Sequence, residues 1–105
     1  MKDSSKLFVG AAASIILSTI WELIPSHTSY ATPSSLAFLE HYHYGLASLL
    51  ASKHVKGGKP YLQGFGIGMV AIESAEPNPF GIGKPPEQVV PNIALSATLL
   101  WLLVV

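Results

Sequence analysis

Residues 33–52 read PSSLAFLEHYHYGLASLLAS. Both ends of this stretch look like helix ends or beginnings. Pro33 suits the first position of a helix, where its missing N–H would have had no partner. Thr32, just before it, is a capping residue. Between them and Ser52 the chain is apolar except at Glu40-His41-Tyr42-His43. A bilayer's hydrocarbon core is about 30 Å thick and takes about 20 helical residues to cross, the length of this run. The spacing therefore predicts a transmembrane helix with a polar knot inside it.

Three more apolar stretches flank this one, at about 7–24, 61–75 and 89–105. Pro25 ends the first. Gly57, Gly58 and Pro60 separate the second from the third, and Pro77, Pro79, Pro85 and Pro86 stiffen the segment before the fourth. Pro91 is expected near the start of the fourth helix, where it does little harm. The third stretch is short for a span, so it is read as tilted, kinked or re-entrant. Half of the chain is hydrophobic and only 11% is charged, against about 25% in an ordinary soluble domain. The expected fold class is all-α: a small polytopic membrane protein, one domain over 1–105, with about four transmembrane helices in an up-down bundle.

Four spans would place Lys2, Lys6, Lys53, Lys56 and Lys59 on one side and leave only Lys84 on the other. The positive-inside rule then predicts a multi-pass protein of the cell membrane with both termini cytoplasmic. A competing expectation treats Lys2, Lys6 and the first apolar run as a signal peptide, with Ser29-Tyr30-Ala31 as the cleavage site.

Several functions are excluded. Formal net charge is zero and all six basic residues are lysine, which disfavours nucleic-acid binding and bidentate phosphate recognition. With no cysteine, thiolate chemistry and disulfides are absent. Gly81-Ile82-Gly83-Lys84 fails as a phosphate loop, because Asn78 stands at its first glycine and Pro85 follows the lysine. No nucleotide is expected. No nucleophile elbow and no His-Glu-x-x-His are present.

The remaining chemistry lies in acids and histidines. Glu22, His27, Glu40, His41, His43, Glu73 and Glu76 gather in the outer half of the expected bundle, while His54 sits with the inner lysines. Glu40 is the sharpest signal, because an ionised carboxylate about 10 Å deep in a bilayer demands a proton, a partner or a metal. Glu40 and His43 are three residues apart and share a helix face, a spacing used in carboxylate-rich di-metal bundles. The predicted metal ligands are Glu40, His43 and Glu73, with His41 and Glu22 as further donors and a divalent transition metal as cofactor. His41 points about 100° away from Glu40, which makes one centre using every donor awkward. The competing reading is a polar lock, in which Glu40 and His43 bond each other, Tyr44, or Asn92 and Ser96. Ala37, Ala47, Ser48 and Ala51 on one helix, with Gly64 and Gly68 on the next, are expected packing residues. The proline-rich loop 76–86 is expected to cover the cluster or to serve as a docking surface.

Two functions follow. In the first, the chain is an accessory subunit packing its helices in a larger membrane complex, with the lipid bilayer and partner subunits, or a homo-oligomer in the second reading, as its partners. In the second, it is a membrane-embedded metal-binding or proton-relay protein built on the Glu-x-x-His cluster. The first is the main expectation.

Overall fold

The structure, a computed structural model, describes residues 2–23, 39–76 and 79–105. Among the described residues it holds four α-helices: α1 (Asp3–Leu23), α2 (His41–Ser52), α3 (Lys59–Ser74) and α4 (Pro86–Val104). A 3-10 turn, Pro79–Gly81, precedes α4. Local chemistry explains the boundaries. Asp3 in the first turn of α1 and Glu87 in the first turn of α4 complement the positive ends of those helices. Gly58 adopts φ 78°, a left-handed turn open to glycine, and Pro60 then starts α3. Pro91 lies inside α4, not at its start. It removes the backbone bond that residue 91 would have given to Glu87.

Side-chain contacts fix the helix directions. Gly64 meets Leu7 and Gly68 meets Ala11 and Ser14, so α1 and α3 run parallel. Gly45 meets Met69, Leu49 meets Gly66, and Ser48 Oγ donates to Leu62 O at 2.7 Å, so α2 runs the other way. His43 reaches Asn92 and Ser96, and Lys53 Nζ donates to Leu103 O at 2.9 Å, so α4 follows α2. The lysine also serves the end carbonyls of α4, where a cation is favoured. The bundle alternates in direction, with α3 packed between α1 and α2 and α4 leaning on α2. One end therefore gathers the C-termini of α1 and α3 with the N-termini of α2 and α4.

The interior is built from small residues. Leu46 and Met69 are the only buried hydrophobic side chains among the described residues. Ser14, Ser18 and Ser52 are buried with them, and Ser18 Oγ donates to Met69 Sδ at 3.3 Å. Backbones approach closely in place of side-chain interdigitation. A Cβ on Gly64 would collide with the Leu7 carbonyl, and one on Gly66 would stand 2.6 Å from Gly45 O. Only glycine permits such contact. Among the other expected packing residues, Ser48 bonds α3, Ala47 is exposed, and Ala37 lies outside the described residues. Thr32, Pro33 and the 29–31 cleavage site also lie outside them.

The four-span membrane bundle is not what the structure holds. Among the described residues only α1, with 21 residues, and α4, with 19, are long and apolar enough to cross a bilayer. They qualify by length and composition alone, and a signal sequence near an N-terminus passes the same test. The second helix, expected over 33–52, begins at His41 and has 12 residues; α3 has 16. At 1.5 Å per residue these measure about 18 and 24 Å, short of a roughly 30 Å core. The radius of gyration is 14.3 Å, against about 13 Å for a compact globular chain of this length. The cell-membrane location with cytoplasmic termini rested on four spans and is withdrawn with them. So are the lipid bilayer and partner subunits as partners, and the accessory-subunit function, because the helices pack on one another within the one chain.

Candidate metal centre

Polar side chains converge at the end where α1 and α3 finish and α2 and α4 begin. Glu40 stands at the N-cap of α2, with φ −122° and ψ 167°. It is thus not seven residues deep in a helix, and its carboxylate meets the favourable, positive helix end. Glu40 and His43 form a reciprocal capping box, in which the Glu40 N–H donates to His43 Nδ1 at 2.9 Å. A ring nitrogen that accepts an N–H carries no proton, so neutral His43 is protonated on Nε2. That nitrogen faces Ser96 Oγ at 3.1 Å and Asn92 O at 3.3 Å. Both nitrogens are therefore occupied by structural bonds. Burial lowers the His43 pKa, which keeps the ring neutral.

Tyr42 extends this lock. Its hydroxyl donates to Asn92 Oδ1 and lies 2.5 Å from Ser96 Oγ, and burial raises its pKa. Asn92 Nδ2 in turn donates to Phe80 O at 2.9 Å. Phe80 packs edge-on against Tyr42 with ring centroids 5.1 Å apart. It holds φ 61°, a costly conformation for a non-glycine residue. Gly81 follows with φ 69°, and a Cβ there would lie 2.5 Å from Glu40 Oε1. This strained turn presses its backbone onto Glu40 and delivers Lys84, whose Nζ lies 2.5 Å from Glu40 Oε1. The segment thus closes over Glu40, and Pro77 and Asn78 lie outside the described residues.

Glu73 occupies the centre. It sits in the last turn of α3, the negative end of that helix, and is 0% exposed. Neither of its carboxylate oxygens has a hydrogen-bond donor among the described residues. The carboxyls of Glu76 and Glu40 lie beside it and can hydrogen-bond it only through a shared proton. Burial, reinforced by these two acids, pushes the Glu73 pKa up to about 8.

Two groups of side chains offer donor atoms within 4.8 Å of one another and can coordinate a metal ion: Glu40, Glu73 and Glu76, and Glu22, His41 and Glu76. Two metal–ligand bonds of about 2.0–2.6 Å reach ligand separations up to about 4–5 Å, so both groups are within reach of one ion each. Glu76 belongs to both groups, and His41, the first residue of α2, joins it to Glu22. Its Nδ1 lies 2.8 Å from Glu76 Oε1 and its Nε2 lies 3.8 Å from Glu22 Oε1. The structure thus brings Glu40 and Glu73 together, and separately His41 with Glu22. His43 faces α4 instead, and Tyr44 is exposed. His27 lies outside the described residues.

Sequence reasoning left Glu76 and Lys84 out of the site. Lys84 carried one available signal, being the lone lysine at the acid-rich end. Glu76 carried one as well, being among the acids gathered at that end and three residues after Glu73. Comparison with known proteins finds no matching family model, no matching curated protein and no matching solved structure.

Proposed function

We propose that this protein binds a divalent metal ion through Glu40, Glu73 and Glu76. The observation that carries this reading is Glu73: fully buried, with no donor to either oxygen, and turned toward two further carboxyls. A buried carboxylate in that position requires a proton or a cation. The charge balance favours a divalent ion. Three carboxylates face one ammonium, that of Lys84, which leaves two negative charges to neutralise when all three acids are ionised. Carboxylate oxygens with an imidazole beside them suit a first-row divalent ion such as Mn2+ rather than thiolate-seeking ions. His43 acts as the cap and lock of α2 in this account, and Glu76 takes the ligand place.

Isothermal titration of the full chain with Mn2+ at pH 8.5, beside Glu73→Gln, tests the proposal. Saturable binding is expected in the parent protein, weakened at least about tenfold in the variant, as for loss of a buried charged ligand. Equal binding by both proteins, or none by the parent, would refute it.

A further inference from the structure

The two donor groups share one residue, and that sharing sets a number. We propose that the site holds two divalent cations bridged by the carboxylate of Glu76, an inference that rests on the metal-binding reading above. The inner ion is held by Glu40, Glu73 and Glu76, and the outer ion by Glu22, His41 and Glu76.

The geometry favours a shared carboxylate over a single ion using all five side chains. Glu40 and His41 are successive residues across the start of α2, Glu40 extended and His41 helical, so their side chains leave the backbone in different directions. Glu40 enters the space closed by Gly81 and Lys84. His41 enters the space beside Glu22, at the end of α1. Glu76 lies just beyond α3, its N–H held by Glu73 O at 3.2 Å, and its side chain stands between the two spaces. A carboxylate has two oxygens and about four lone-pair sites, enough to serve two ions at once.

The two positions also differ in access. The inner one is lined by the buried Glu73 and by Glu40, whose side chain is 11% exposed. The outer one includes Glu22, 55% exposed, and meets solvent. The imidazole adds a nitrogen donor only to the outer position. Paired divalent ions joined by oxygen ligands lie about 3.5–4 Å apart in proteins that use them, a separation one carboxylate bridge spans.

Mn2+ titration followed by electron paramagnetic resonance reads both the number of ions and their coupling. The full chain at pH 8.5 is expected to take up two Mn2+ per molecule and to show the exchange-coupled spectrum of a bridged pair. Glu22→Gln combined with His41→Ala is expected to bind one Mn2+ with an uncoupled spectrum. Glu22→Gln alone alters an exposed side chain and is expected to weaken the second equivalent about tenfold while circular dichroism stays unchanged. One equivalent in the parent protein would overturn the bridged pair and leave the single-ion site standing. Two uncoupled ions would overturn the bridge. No bound Mn2+ at all would overturn both readings.

Discussion

Glu73 combines three unfavourable circumstances: complete burial, a place at the negative end of α3, and two neighbouring acids. Its carboxyl therefore keeps a proton to about pH 8 in the folded, metal-free protein, against an ordinary value of 4.5. Between these values the folded chain binds a proton that the unfolded chain releases, so this group's contribution to stability falls as pH rises. That contribution is complete below about pH 4.5 and lost as pH passes about 8. Thermal melts of metal-free protein across this window should show a downward slope that Glu73→Gln removes. His43 makes a different claim. His43→Ala would leave the Glu40 N–H without its acceptor, and should cost about 1–3 kcal/mol in urea unfolding while the number of Mn2+ bound is unchanged. A lost equivalent would restore His43 as a ligand. The sequence pointed to Glu40 and Glu73 because acids in apolar stretches are conspicuous. It singled out His43 by a three-residue spacing that a metal-ligand pair and a capping box share, and the structure holds the capping box. Only the start of α2 at His41 distinguishes them.

At the scale of the helix, the bundle depends on backbone contact more than on side-chain volume. Gly64→Ala would drive a methyl group into the Leu7 carbonyl of α1. Overpacking of this kind costs about 1–3 kcal/mol, and a fall in the denaturant midpoint should report it. Gly57→Ala, with nothing within 4 Å of its Cβ, should leave the midpoint unchanged or slightly raised. Equal effects from the two substitutions would contradict the close approach of α1 and α3. Proline and glycine breaks made the helix order readable along the chain. They could not reveal helix length: residues 39–40 are apolar and acidic in a run that looks continuous, yet they lie outside α2. That shift of the N-terminus moves Glu40 from a helix interior to a cap.

At the scale of the molecule, the alternating bundle places acids from α1, α2 and the end of α3 at one end, and the strained Phe80–Gly81 turn brings Lys84 onto them. Low charge and high hydropathy suggested four crossings of a membrane. Two helices too short to cross, and a radius of gyration near that of a compact chain, overturn that. The Glu22–His41–Glu76 contacts join residues far apart in sequence. No local pattern encodes them, so they emerge only once α1, α2 and α3 are packed. The central claim is that a divalent cation takes the place of the Glu73 proton. Proton release on adding Mn2+ in weakly buffered solution tests it directly, because metal binding must expel protons from its ligands. Release of about one proton per protein at pH 7, declining toward zero by about pH 9.5, is the expected result for a group titrating near 8. Mn2+ binding without proton release at pH 7, or release undiminished in Glu73→Gln, would contradict it.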